Sequence, residues 1–265
     1  MEFKISLPTK PEKAKVSNAK RMLIASQPKV GKTSALMALQ NNLLIDLESG
    51  ADQYTGMAVD INAIAKEIAK ENDIPFMEAK LDAYFSVLQE IKNSGHIYDF
   101  LTIDNTTRLE DMASYYATML YKESTIGKSF KGKDVVTELA NGAGYAWLRE
   151  AFDRLMEATD GIAKTCTIYI GHLKKSSITK NDISIGAMDL ELSGKSKTIL
   201  TSLMDANGFL RREKSTNKNI LSFKTSESDL VTGARTQHLR GNEFLISEID
   251  ENGKFITYWE KIFLK

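Results

Sequence analysis

A chain of 265 residues and 29.6 kDa is long enough to bury a full core, and one domain with elaborations is the expectation at that length. Lys plus Arg and Asp plus Glu balance at 35 each, for a formal net charge of zero. A globally basic nucleic-acid binder is thereby disfavoured, and any such contact must come from a local basic patch. The lone cysteine, Cys166, excludes intramolecular disulfides and cysteine-cluster zinc sites and suits a reducing cytoplasm.

Residues 1–20 carry Lys4, Lys10, Lys13, Lys15 and Lys20 with Pro8 and Pro11, the texture of an extended, solvated basic arm. The arm lacks the apolar segment of a signal peptide, and no apolar run approaches the roughly 20 residues that span a bilayer. A soluble, cytoplasmic protein with no membrane partner is expected. From Arg21 the texture changes. Met22-Leu23-Ile24-Ala25 reads as a buried strand ending in a turn. A short helix over Thr33 to Gln40 and a second strand, Leu43 to Asp46, complete a β–loop–α–β unit, the start of a parallel sheet.

Apolar residues at three- and four-residue spacing predict helices over Ile61 to Glu71 and Phe76 to Lys92. A third strand, Tyr98 to Ile103, ends in Asp104 and leads into a helix over Leu109 to Lys122. Glu123 to Gly144 has no clear period and reads mostly as loop. A helix over Tyr145 to Ala158 and a fourth strand, Thr165 to Ile170, follow. His172 then opens a second polar loop region reaching about Gly194, before a helix from about Lys195 to Met204. Ala206 to Arg211, Ile220 to Lys224, Phe244 to Ile249 and Phe255 to Trp259 read as antiparallel strands joined by turns. Residues 21–265 are thus expected to form a single α/β domain, with a β extension over about 206–265.

Ser26-Gln27-Pro28-Lys29-Val30-Gly31-Lys32-Thr33 fits the phosphate-loop template except in its first residue, normally glycine. In such a loop the backbone N–H groups and the helix N-terminus, through Ser34, face the β- and γ-phosphates. Lys32 supplies a point charge, the Thr33 hydroxyl is a ligand for Mg²⁺, and Gly31 lets the backbone approach the nucleotide. ATP with Mg²⁺ is the expected cofactor pair. Ser26 adds a Cβ where the loop leaves the strand, which is expected to weaken affinity or reshape the loop. The Mg²⁺ also needs a carboxylate at the end of a neighbouring buried strand, and Asp104 fits; its alternative role is a helix N-cap. Glu48, just past the second strand, is placed to orient an attacking water as general base, the bland alternative being a solvated loop glutamate. His172 either contacts the γ-phosphate as a sensor or simply ends its strand. His96 and His238 have no ligand-like spacing.

In this order the elements resemble the RecA-type branch of P-loop ATPases. There is a phosphate loop, a strand ending in Asp46-Leu47-Glu48, a hydrophobic strand ending in Asp104, and a strand ending in a polar residue, His172. The chain is also similar to phage-encoded nucleotide-binding proteins of the AAA-like/RecA-like type, including single-strand annealing recombinases with a RecA-like core. Leu44 to Gly50, Asn141 to Tyr145, Gly171-His172-Leu173-Lys174 and Gly233-Ala234-Arg235 carry that likeness, which spans Arg21 to Asn242. The resemblance implies a RecA-like P-loop NTPase fold, a mostly parallel central sheet flanked by helices with antiparallel strands toward the C-terminus. It further implies ATP hydrolysis with Glu48 as base, His172 in place of the usual glutamine sensor, and self-assembly into rings or filaments. Single-stranded DNA is the implied partner, with a single-strand DNA-binding protein as another, in phage recombination, annealing or repair.

The resemblance puts DNA-binding loops at Ser124 to Gly144 and Leu173 to Gly194. The first holds Lys128, Lys131 and Lys133 around Phe130, a stacking platform. The second holds Lys174, Lys175 and Lys180. Solvated surface lysines are the plain alternative. Arg211, Arg212, Arg235 and Arg240 are candidates for a charge supplied to a neighbouring subunit, with Arg235 ranked first on the resemblance. Three other classes stay open. A GTPase is suggested by Thr179-Lys180-Asn181-Asp182, although that tetrapeptide lies past a strand end. A small-molecule kinase would want an arginine-rich lid, which Ser124 to Gly144 lacks. A nucleotide-gated DNA-binding or adaptor protein with little turnover is the third.

Overall fold

The structure is a computed structural model that describes residues 9–10, 17–95, 98–180, 183–213, 215–225 and 232–264, with backbone only for 175–180 and 183–187. Most of the expected basic arm, His96, and Asn181 and Asp182 of the guanine-type tetrapeptide lie outside the described residues, as do the side chains of Lys175 and Lys180.

In chain order the main elements are β1 (Arg21–Ser26), α1 (Lys32–Met37), β2 (Asn42–Asp46), β3 (Met57–Asp60), α2 (Ile61–Asn72), α3 (Phe76–Asn93), β4 (Phe100–Asp104) and α4 (Thr106–Glu123). Then come α5 (Val135–Glu138), α6 (Gly144–Glu157), β5 (Cys166–Lys180), β6 (Ile183–Leu190) and α7 (Gly194–Leu203). The C-terminal part holds β7 (Ala206–Arg212), β8 (Asn219–Ser222), β9 (Gly233–Ala234), β10 (Glu243–Ile249) and β11 (Phe255–Thr257). One sheet runs in the order β11-β10-β8-β7-β1-β5-β4-β2-β3, with β6 paired to β5 and β9 to β7.

From β7 to β3 every pairing is parallel, so these strands deliver their C-terminal ends to one edge. Toward the C-terminus the pairings β7–β8, β8–β10 and β10–β11 are antiparallel. This is the α/β P-loop NTPase architecture that the sequence pattern predicts. Alternation explains why the strands stack as they do. On β1, Leu23 and Ala25 face the layer built by α2 to α6, while Met22 and Ile24 face the layer holding α1 and the C-terminal Trp259 and Phe263. Each fully buried Leu or Ile contributes about 2 kcal/mol.

Helix starts follow their caps. Asp60 accepts from Ala63 N–H at the start of α2, and Asn105 accepts from Arg108 N–H at the start of α4.

Four expectations need correction. β3 had no sequence signal; it is short, half exposed and at the sheet edge. β7 is antiparallel to β8 as expected, but parallel to β1. A short helix, α5, interrupts the stretch read as loop before Gly144, started by an Asp134 side chain that accepts from Val136 N–H. The largest change is at His172. Its strand does not end there, because β5 continues to Lys180 and returns as β6, with Leu173 opposite Leu190 and Lys180 opposite Ile183. The region read as a second loop is a β-hairpin. Its Ser, Thr and Ile residues suit a strand that pairs only with its neighbour, a pattern that a search for buried apolar runs does not find.

Candidate nucleotide site

The parallel registers set Ser26 opposite His172, and Asp46 opposite both Asp104 and Asp60. These residues therefore share one edge of the sheet, where the loop between β1 and α1 also lies. Gly31 precedes α1 with φ 102, in the left-handed region, where a side chain would be strained. A Cβ there would also meet the Arg212 guanidinium at 3.0 Å.

Ser26, the departure from the loop template, is fully buried and accommodated. Its hydroxyl donates to Gln27 O at 2.7 Å and accepts from Lys32 Nζ at 2.9 Å. Lys32 also donates to Gln27 O at 3.1 Å. The lysine is 4% exposed. Burial pulls its pKa down to about 8, against the raising effects of Asp104 and Glu48. Among the described residues the hydrogen bonds of Lys32 go to a hydroxyl and a carbonyl, neither of them charged, and a buried ammonium so bonded suits an anion. Pro28 and Lys29 form the exposed crown of the loop, with Lys29 at φ 64.

Thr33 Oγ1 donates to Asp104 Oδ2 at 2.8 Å. Asp104 is 6% exposed, and burial pushes its carboxyl up to about 6 despite the Thr33 bond. The peptide joining Asp104 to Asn105 is cis. One hydroxyl and one carboxylate form a hard oxygen pair of the kind that holds Mg²⁺ together with phosphates and water. Among the described residues no cluster of three or more His, Cys, Asp or Glu could hold a metal ion.

Asp46 organises the turn after β2. Its oxygens accept from Glu48 N–H and Ser49 N–H at 2.8 Å and from Ala51 N–H at 2.7 Å. Glu48 projects from this turn, and its carboxylate lies 3.3 Å from Arg108 Nε. Arg108, in the first turn of α4, also pairs with Asp111 at 3.0 Å. The half-buried His172 has its Nε2 3.5 Å from Asn105 Nδ2. Burial, then the Lys32 charge, lowers its pKa, which favours the neutral ring.

The later arginines divide by position. Arg212 donates to Val30 O at 2.9 Å and to Asn219 Oδ1 at 3.3 Å, touching the phosphate loop. Arg235 sits at the other end of β7, where its guanidinium donates to Ser202 O at 2.9 Å and lies 3.5 Å from Asp205. Arg212 ends β7, whereas Arg235 follows β9, which pairs with the start of β7, so the two arginines lie at opposite ends of that strand. A cavity of about 410 Å³ opens beside the loop against Lys29, Val30, Phe209 and Arg212. The larger groove, about 1130 Å³, lies at the far end of the sheet against Asn41, Asp99 and Phe100, away from these residues.

Of the basic loop residues, Lys128, Lys131, Lys133 and Lys174 are exposed. Phe130 is half-buried and packs edge-on against Tyr121, with centroids 5.3 Å apart, so its ring is engaged in the fold rather than free as a platform. Arg108 and Asn105 were not among the expected site residues, although Arg108 lies four residues after Asp104 beside a predicted helix. Arg212 was expected only as a charge for a neighbouring subunit; its contact with the phosphate loop depends on the pairing of β7 with β1.

A parallel sheet with this loop, a buried lysine and a Thr–Asp pair at one edge defines a P-loop NTPase fold. The chain belongs to a family of AAA domains, whose model matches residues 18–238. No curated protein matches the chain. Among solved structures it is similar to the RadB recombinase at 12% identity and a TM-score of 0.40, over 88% of this chain and 89% of that one. It is similar too to the flagellar accessory protein FlaH from Methanocaldococcus jannaschii at 11% identity and a TM-score of 0.38, over 92% and 91%. No described helix is long and apolar enough to cross a membrane.

Proposed function

We propose that the chain is a Mg²⁺-dependent ATPase whose nucleotide state controls binding of single-stranded DNA, in phage recombination, annealing or repair. The observation that carries the reading is the convergence of Lys32, the Thr33–Asp104 pair and Glu48 at one sheet edge. Backbone N–H groups of Lys29 to Ser34 and the Lys32 ammonium bind the phosphates. Thr33 and Asp104 would hold Mg²⁺, which when bound would draw charge from the phosphates. Glu48 takes a proton from the attacking water. His172, as a neutral ring, donates one N–H hydrogen bond to a γ-phosphate oxygen.

Coupling follows from β5, because His172 lies on the strand that continues into the β5–β6 hairpin. The hairpin base is bolted to α4: Glu191 N–H donates to His172 O at 2.9 Å, Thr107 Oγ1 to Glu191 O at 3.1 Å, and Ser193 Oγ to Glu110 at 2.6 Å. A shift of His172 would therefore reach Lys174 and its neighbours, which with Lys128, Lys131 and Lys133 form the DNA-facing surface. Self-assembly into a ring or filament, with an arginine supplied in trans and a single-strand DNA-binding protein as partner, completes the reading.

A second reading, a nucleotide-gated adaptor with little turnover, is favoured by the Glu48–Arg108 ion pair, which holds the base carboxylate. Steady-state hydrolysis with and without single-stranded DNA separates the two. DNA-stimulated ATP turnover supports the ATPase, and ATP binding without turnover supports the adaptor. A preference for GTP would overturn both.

A further inference from the structure

Lys80 is a charged residue where its helix calls for an apolar one. On α3 it aligns with Tyr84 and Leu88 at four-residue spacing, and it is 5% exposed. Burying an ammonium is costly unless it is bonded and compensated. Lys80 Nζ donates to Leu47 O at 2.9 Å, and Asn62 Nδ2 donates to the same oxygen at 3.1 Å. Leu47 N–H in turn donates to Asp104 O at 2.7 Å. Both backbone polar groups of Leu47 are therefore committed, one toward the Thr33–Asp104 pair and the other toward Lys80. The next residue is Glu48, whose own N–H is held by Asp46. Asp111, Asp46 and Asp60 provide the compensating negative field, opposed by Arg108.

We propose that Lys80 is a positioning residue for Glu48: its ammonium clamps Leu47 O and so fixes the turn from Asp46 to Ala51 against β4. The proposal rests on the reading of Glu48 as general base. Lys80 touches neither the nucleotide nor the reacting water and acts only through the backbone that carries the carboxylate. Its removal leaves Asn62 on the same carbonyl, so the turn loosens rather than collapses. An orientational loss of this kind lowers turnover without weakening phosphate binding.

The test uses the full chain as wild type, Lys80→Met, Lys80→Arg, Glu48→Gln and the Lys80→Met/Glu48→Gln pair. Hydrolysis at saturating ATP, affinity for a fluorescent ATP analogue and amide exchange across residues 46–51 are measured on each. Lys80→Met is expected to lose about tenfold or more in kcat with affinity held within about twofold, and Lys80→Arg to recover most of that loss. On the Glu48→Gln background, Lys80→Met should cost nothing further. Exchange at Glu48, Ser49 and Ala51 should quicken about tenfold while β1 and β4 keep their protection. Additive losses in the double variant, or unchanged exchange at residues 46–51, overturn the proposal, as does faster exchange throughout the sheet. Should Glu48→Gln retain full turnover, the general-base reading falls by itself, and the exchange data alone decide whether the clamp exists.

Discussion

The Thr33 hydroxyl donates to Asp104 Oδ2 at 2.8 Å, joining the phosphate loop to a carboxylate two strands away, with β5 between them. Thr33 and Asp104 are the two oxygen donors that would hold Mg²⁺, and here they hold each other. Burial sets the cost of that arrangement. The Asp104 carboxyl titrates near 3.8 in an unfolded chain and at about 6 in the folded one. The Asp104 contribution to stability is therefore fully present below about pH 4 and is lost as pH rises through about 6, on the order of 3 kcal/mol.

Asp104→Asn removes that cost and keeps an acceptor for Thr33. With a chelator at about pH 8 the variant is expected to melt about 5 °C above wild type, the gap closing toward pH 4. Mg²⁺-dependent turnover should be lost in the same variant. An asparagine variant that melts at or below wild type at high pH would refute the burial argument.

Lys32 gives nucleotide affinity its own pH dependence. Its ammonium titrates at about 8, depressed by burial, and bound phosphates would raise that value. Nucleotide binds the protonated lysine best, so affinity should fall as pH rises above about 8, by up to about tenfold per unit. His172 contributes little over that range, because burial and Lys32 already favour its neutral ring. Titrating a fluorescent ATP analogue between about pH 6.5 and 9.5 checks this. Lys32→Ala should abolish both the binding and its pH dependence; a flat profile in wild type would remove Lys32 from phosphate contact.

The legible parts of this molecule were those written in short local patterns. The phosphate loop, the apolar strand ending in Asp104 and the Asp46-Leu47-Glu48 element each announce themselves within about eight residues, and the sheet edge brings them together as their order implies. What was illegible depends on pairing. The β5–β6 hairpin is built from polar and β-branched residues whose partner is known only once the register is, and β3 is too short and too exposed to show a period. Asp46 was legible only as the residue that ends its strand; its three backbone bonds make it the fastener of the turn. Lys80 was readable in principle, as a charge on an apolar stripe.

Lys128, Lys131, Lys133 and Lys174 are exposed, and if the proposed DNA binding holds, the contribution of each is countable. Each phosphate contact on single-stranded DNA releases about 0.7 counterion, so each lost contact should flatten the salt slope by that much. Lys174→Glu and Lys128→Glu are both exposed changes, expected to alter stability by less than about 0.5 kcal/mol. Oligonucleotide binding across about 50 to 200 mM salt, with ATP bound, measures the effect. Wild-type binding that does not vary with salt would remove these lysines from the interface.

Arg108 decides how far the ATPase and adaptor readings differ. Its Nε lies 3.3 Å from Glu48 Oε1, and its Nη1 lies 3.0 Å from Asp111. A general base held by a guanidinium is both misdirected and less basic, so the ion pair should restrain hydrolysis. The pair is about half exposed on the Arg108 side, and pairs of that kind contribute about 0 to 1 kcal/mol to stability. Arg108→Ala should therefore leave melting nearly unchanged. If the pair is a brake, the variant hydrolyses ATP about three- to tenfold faster without DNA and gains less from its addition. Glu48→Gln should lose about two orders of magnitude in turnover while binding ATP normally, and adding Arg108→Ala to it should recover nothing. An Arg108→Ala protein slower than wild type would assign the arginine to holding Glu48 in its working position, and the restraint would have to be sought elsewhere.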